Sequence, residues 1–288
     1  MKKRKKWKPY LVCILTVFLM MEISIRVQAE SAPENLYARS AVLMDADTGR
    51  ILFGKNDNEV MPMASTTKIM TALVALDKGD LDAQTTVSKE AITFSESGVS
   101  TAKLKEGDVL TLRQLLYALL TVSANDAANV IAEQIAGSQD AFVEMMNQEA
   151  QKIGATNTHF VNANGLHSED HYTTVYDLYL MFNAAMQHEE FLQMLQEKEY
   201  QASYQAADGT TVEAVWSTTN QFTKGDVTVP DGVTAVGGKT GTTTAAMSCL
   251  VQLFEDAQGE QYVAIILGCK ERGILYQEMQ TFLSNLNN

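Results

Sequence analysis

The chain has 288 residues, 46% of them hydrophobic, with 22 Lys and Arg against 35 Asp and Glu for a formal net charge of −13. The acidity disfavours nucleic acid or an anionic membrane surface as the partner, and the apolar fraction supports an ordinary globular core. Three cysteines are too few for a disulfide framework, and their spacing fits no zinc pair.

At the amino terminus, "MKKRKKWK" is a basic region, "PYLVCILTVFLMM" an apolar run and Val27-Gln28-Ala29 a small-residue cleavage site. Together they predict an export signal over 1–29 and an extracytoplasmic or secreted protein. The run is short for a membrane span, although an uncleaved anchor is the alternative. Seven basic residues and one acidic residue lie in 1–29, so the mature chain keeps 15 basic and 34 acidic residues, a charge near −19.

Residues 30–37, "ESAPENLY", read as a linker. "SAVLMDADTGRILF" alternates and turns at Asp47-Thr48-Gly49, as a hairpin does. From Ala64 to about residue 187 the pattern is helical, with caps at Thr111, Ser138 and Thr174 and stops at Gly137 and Gly154. "YQASYQAADGTTVEAVW" turns at Asp208-Gly209, and strands return before a final helix, "ILYQEMQTFLSNL". This order predicts an α/β (α+β) protein with one mainly antiparallel sheet of about five strands drawn from both chain ends. Helices cover that sheet, and a largely helical subdomain over about 80–190 is inserted. "MSCLVQLF" and "QYVAIILGC" read as two strands joined across "EDAQGE", which places Cys249 roughly opposite Cys269, as two buried free thiols or a bonded pair.

Three short motifs carry chemistry. In "PMASTTKIMTALVAL", Ser65 and Lys68 are three apart and share a helix face, so the amine reaches the hydroxyl. The apolar residues around them imply burial, which depresses a lysine pKa, and a helix N-terminus favours developing negative charge on the serine. A second SxxK, Ser100 to Lys103, is followed by the polar "LKEGD" and reads as surface. "TVSANDAAN" places Ser123 and Asn125 between two helices. "AVGGKTGTTTA" resembles the lip of a phosphate loop, but the glycine such a loop requires falls on Val233. Alone, each motif has a bland reading as a helix face, a cap or a strand; the three together, in this order, do not.

With SxxK, SxN and KTG in sequence, the chain resembles the penicillin-binding serine D,D-peptidases, and most closely the low-molecular-mass D-alanyl-D-alanine carboxypeptidases. The resemblance extends to "AVLMDADTGRILFGKN", "LTLRQLLYALLTVSANDAANVIAE", "GATNTHFVNANGLHSEDHYTTVYDLYLM" and "GGKTGTTTAAMSCL", nearly the whole mature chain. It implies Ser65 as nucleophile, Lys68 as its base and Ser123 as proton relay, with Asn125 holding the substrate amide. Lys239 adds positive charge, Thr240 and Thr242 reach the terminal carboxylate, and Gly241 allows close approach to the strand. The Ser65 and Thr242 N–H groups form the oxyanion hole. The implied partners are a peptidoglycan stem peptide ending in D-Ala-D-Ala and β-lactam antibiotics as covalent inhibitors. A monomer with no metal or organic cofactor is expected.

The chain departs from the family in "MPMAS" before the nucleophile and "TTTAAMSC" after KTG, and it stops at Asn288, so the C-terminal β-domain of larger relatives is not expected. A class A β-lactamase needs a carboxylate in an ExxLN segment, and "EMMNQ" at 144–148 is the nearest match. "HSEDH" gives His167 and His171 the i, i+4 spacing of zinc ligands without the HExxH glutamate; these histidines are expected to order a loop. Transpeptidase, endopeptidase and non-catalytic binding readings remain as alternatives.

Overall fold

The computed structural model describes residues 36–284; the expected export signal and most of the expected linker lie outside them. Strands β1 (Ser40–Asp45) and β2 (Ile51–Lys55) form the expected hairpin, closed by the Asp45 carboxylate accepting the Thr48 N–H at 2.8 Å and by Gly49 at φ +68°. From the other end of the chain come β7 (Val233–Thr243), β8 (Met247–Asp256) and β9 (Gln261–Cys269). All five pair antiparallel in the order β2-β1-β9-β8-β7, which leaves β7 with a free edge.

The sheet is covered on both faces, which is why its inner strands read as continuous apolar runs. Alternation divides their side chains: Val42, Met44, Val263 and Ile265 join the core under the helices, while Ala41, Leu43, Ala264 and Ile266 face the other way. On that second face lie the short α7 (Gln221–Lys224), which buries Phe222, and α8 (Arg272–Ser284), with Leu275, Met279, Phe282 and Leu283 buried and Phe282 against Phe53 at 5.0 Å between ring centroids. On the first side, α5 (Val175–Ala185) and α6 (Glu189–Gln196) meet the strands, and α1 (Lys68–Lys78), α2 (Leu112–Leu120), α3 (Asn125–Ala136) and α4 (Gln139–Lys152) pack with them into one core. Helix α1 runs through the middle, with every residue from Lys68 to Ala75 buried. The predicted caps form: Thr111 makes a capping box with Gln114, Ser138 accepts the Ala141 N–H, Thr174 accepts the Asp177 N–H, and Gly137 ends α3 in the left-handed region.

The helical pattern does not run unbroken from Ala64. After Gly79 the chain is extended or irregular up to Thr111, apart from β3 (Gln84–Thr86) and β4 (Val109–Thr111). A Cβ on Gly79 would stand 2.3 Å from Leu112 Cδ2, so the chain turns away where α2 packs. Strands β3 and β4 join β5 (Glu199–Gln205) and β6 (Thr211–Ser217) in a second antiparallel sheet that the sequence pattern did not announce. The two cysteines end on opposite faces of the main sheet, because a register shift between Ser248 and Leu250 puts Cys249 with the helices and Cys269 with α8; both are free thiols.

Candidate active site

The segment before α1 winds as a 3-10 turn, Ala64–Thr67, and this turn carries Ser65. Ala64 enters it at φ +47°, a conformation that costs a non-glycine residue about 1–2 kcal/mol and is held by its surroundings. The Thr66 hydroxyl donates to the Met63 carbonyl at 2.6 Å and the Thr67 hydroxyl to the Ala64 carbonyl at 2.7 Å. Gly165 presses on the same place: a Cβ there would lie 2.1 Å from the Ala64 oxygen.

Lys68, the first residue of α1, is fully buried, and its Nζ reaches three oxygens: Ser65 Oγ at 3.0 Å, Asn125 Oδ1 at 2.6 Å and the Asn164 carbonyl. Burial, then the positive charge of Lys239, holds its pKa well below the usual lysine range, against an opposing pull from Asp126. A neutral amine has two N–H donors and one lone pair. With the two amide oxygens as acceptors for the donors, the lone pair is left for the Ser65 hydroxyl, the arrangement a base needs.

Between α2 and α3, Ser123 sits at φ +62° and is nearly buried. Its Oγ accepts from Lys239 Nζ at 2.9 Å, and Lys239 also donates to the Thr240 carbonyl at 2.8 Å. Burial, with the nearby Arg272 charge, lowers the Lys239 pKa to about 7. The Asn125 side chain is fixed by its backbone, whose N–H donates to the Ser100 carbonyl at 2.8 Å, and by Asp126 next to it. The buried Asp126 carboxylate accepts the N–H groups of Ala102, Leu104 and Ala127 at 2.9, 3.1 and 2.9 Å. Residues 100–104 are thereby tied to the second motif. Ser100 and Lys103 of the other SxxK have exposed side chains in this irregular loop and do not lie on a helix.

Strand β7 brings the third motif to the nucleophile along its free edge. Gly241 is the point of closest approach, where a Cβ would be 3.0 Å from the Ser65 nitrogen and 3.1 Å from Met63 O and Thr66 N. Pleating turns Thr240 and Thr242 to the opposite face from Lys239 and Gly241. Thr240 Oγ1 lies 2.6 Å from Thr219 Oγ1, just past β6, while Thr242 is exposed and accepts from Arg272 Nη2 at 3.3 Å. Ser65, Lys68, Ser123, Asn125, Lys239 and Gly241 thus meet in one place, while the Thr240 and Thr242 side chains stand on the other face of the same edge strand.

Three others meet them there unannounced. Asn164 contributes a backbone carbonyl, for which no side-chain signal exists, although the Asn-rich turn "VNANGL" marks the loop. Thr219 lies in the turn after β6 and Arg272 opens α8, and neither belongs to a motif that spacing would single out. Of the two histidines, His167 is exposed, whereas His171 is buried and uses both ring nitrogens inside the fold, with Thr67 Oγ1 at 2.7 Å and the Val161 N–H at 3.1 Å. No lone pair is left there for a metal.

Comparison with known proteins agrees with this geometry. Residues 26–271 match the family described as D-alanyl-D-alanine carboxypeptidase. The chain belongs to that family. The carboxypeptidase DacF of Bacillus subtilis is 40% identical over 155 residues, 53% of this chain and 40% of that protein. DacB2 of Mycobacterium tuberculosis is 35% identical over 249 residues, 85% of this chain and 80% of its own length. The crystal structure of a Streptomyces DD-transpeptidase superposes with a TM-score of 0.78 at 29% identity, covering 86% of this chain and 95% of that one. The match thus spans less than half of the Bacillus protein and most of the other two. Family and fold class are those the three motifs led us to expect, a five-stranded antiparallel sheet covered by helices as in the D,D-peptidases, with the second sheet added to it.

Proposed function

We propose that the protein is a serine-type carboxypeptidase that removes the terminal D-alanine from peptidoglycan stem peptides outside the cytoplasm, and that β-lactams acylate the same serine. The observation that carries this reading is the Lys68 amine, buried, depressed in pKa and 3.0 Å from Ser65 Oγ with its other contacts on amide oxygens. Ser65 Oγ attacks the carbonyl carbon of the D-Ala-D-Ala bond as Lys68 takes its proton. The Ser65 and Thr242 N–H groups receive the oxyanion. Collapse breaks the C–N bond, and a proton passed through Ser123 reaches the departing amine. Asn125 holds the substrate amide. Lys239, Thr240 and Thr242 bind the terminal carboxylate, with Arg272 added to them by its contact with Thr242. Water then releases the acyl group from Ser65.

A class A β-lactamase reading finds no support at this site. The groups bonded to Lys68 Nζ include no carboxylate, and Glu144 of "EMMNQ" is exposed on α4. No helix among the described residues is long and apolar enough to cross a membrane, and residues 1–29 are proposed to direct export. The deciding experiment is intact-protein mass spectrometry of the mature chain with benzylpenicillin, beside Ser65→Ala, followed by a diacyl-L-Lys-D-Ala-D-Ala peptide. A persistent Ser65-dependent adduct and released D-alanine are expected. An adduct lost within seconds would indicate a β-lactamase, peptide transfer to an added amine a transpeptidase, and no adduct on folded protein would end the acyl-serine reading.

A further inference from the structure

We infer that His171 is a positioning residue for acylation, a neutral imidazole that braces the nucleophile turn against the loop holding Lys68. This rests on the proposed acyl-serine function and goes beyond the groups assigned to it.

The hydrogen-bond roles follow from the partners. The Val161 N–H can only donate, so His171 Nδ1, at 3.1 Å, is the acceptor and carries no proton. The single proton of the neutral ring is therefore on Nε2, which donates to Thr67 Oγ1 at 2.7 Å. Thr67 in turn donates its own hydroxyl proton to the Ala64 carbonyl at 2.7 Å. The chain of donors ends on the residue that immediately precedes Ser65 and is held at φ +47°. Its other end is Val161, three residues before the Asn164 carbonyl that accepts from Lys68. One ring thus ties the backbone that aims the serine to the backbone that aims its base.

The ring is itself well fixed. It is 2% exposed, it meets Phe160 edge-on at 5.7 Å between centroids, and two residues later Thr173 exchanges both backbone hydrogen bonds with Met61, just ahead of the nucleophile turn. Burial is the main reason that it stays neutral, with its pKa lowered to about 3; His159, Lys68 and His167 face it and push the same way. A protonated Nδ1 would turn a donor toward the Val161 N–H and break the brace.

The test measures the acylation rate constant and the non-covalent Kd for a chromogenic penicillin separately, on wild type, His171→Ala, His171→Gln, Thr67→Val and the double variant His171→Ala/Thr67→Val, each checked for native circular dichroism. The acylation constant is expected to fall about 30- to 100-fold in His171→Ala and in Thr67→Val, with Kd within about threefold of wild type, as for a misplaced nucleophile. The double variant should be no slower than the worse single, because both remove one chain of hydrogen bonds. His171→Gln, which keeps an N–H donor toward Thr67, should recover at least tenfold. Folded variants that acylate within threefold of wild type, or single effects that multiply, would overturn the role of His171. If His171→Ala does not fold, Thr67→Val, which leaves the ring in place, decides alone. A wild type that forms no adduct would overturn the acyl-serine function itself, so the two failures are distinguishable.

Discussion

Lys239 Nζ stands 2.9 Å from Ser123 Oγ, so the third motif donates a hydrogen bond to the second across two elements 116 residues apart in sequence. The lysine is wholly buried, and burial, reinforced by Arg272, lowers its pKa to about 7. The free protein therefore loses this charge as pH rises through neutrality, well before an ordinary lysine would.

The rate of acylation by a carboxylate-bearing peptide, as kcat/KM, should accordingly fall above about pH 7, because that ratio reports the free enzyme. Lys239→Arg keeps its charge at every pH in the assay. It should lose rate overall, yet show no alkaline fall between about pH 6 and 9. A profile in which both proteins decline together would assign the limb to another group. Stability moves the opposite way: below about pH 7 the folded lysine is charged in a site that disfavours it, and from there to the ordinary lysine pKa the unfolded chain binds more protons than the folded one, so stability rises with pH. Urea unfolding should therefore show Lys239 costing less stability at pH 9 than at pH 7, measured against Lys239→Met.

Arg272 donates to Thr242 Oγ1 at 3.3 Å and its charge helps to lower the Lys239 pKa. Removing it has two separable consequences. Arg272→Ala should raise KM for a D-Ala-terminated peptide about tenfold or more, with a smaller change for an ester lacking the carboxylate. It should also move the alkaline limb of the pH profile upward, since one positive neighbour of Lys239 is gone. A KM change without that shift would place Arg272 too far from Lys239 for the charge argument.

What could be read in the sequence depended on where the chemistry sat. Ser65 with Lys68, Ser123 with Asn125, and Lys239 to Thr242 are each local in sequence, so their order along the chain marked them and the family resemblance supplied their roles. The hairpin turn at Gly49, the Thr111 box and the Gly137 stop are local too, and all three formed. Strands β3 and β4 have three residues each, pair with one another across the irregular stretch between them, and meet β5 only where Val109 pairs with Gln205, so neither run is long enough to show a strand pattern by itself. Asn164 was silent for another reason: it acts on Lys68 through its carbonyl, which every residue has. The cysteines were placed almost opposite by simple counting, and one register shift was enough to put them on different faces.

The buried Asp126 carboxylate accepts three backbone N–H groups, and burial raises its pKa despite them. In Asp126→Asn the amide has one oxygen left, and its NH2 faces a backbone donor. A loss of about 2–3 kcal/mol in urea unfolding is expected, with faster proteolysis within residues 95–104. The acylation rate should fall as well, because Asn125 next to it takes its register from the Ser100 carbonyl in the same loop. Unchanged stability would mean that the loop is held chiefly by other contacts.

Gly241 is where strand and nucleophile turn meet, and a methyl group separates two outcomes there. The added Cβ of Gly241→Ala would stand 3.0 Å from the Ser65 nitrogen and 3.1 Å from Met63 O and Thr66 N, all backbone atoms, so no side-chain rotation relieves the contact. The turn and the free edge of β7 must part by a few tenths of an ångström. That is a small strain for the fold, and Tm should drop only a few degrees. The Ser65 and Thr242 N–H groups, however, lie on the two backbones forced apart, and their spacing sets how well they hold an oxyanion. Acylation by penicillin should therefore slow about a hundredfold in a protein that remains folded. If Gly241→Ala acylates at the wild-type rate, the oxyanion is not held between these two segments.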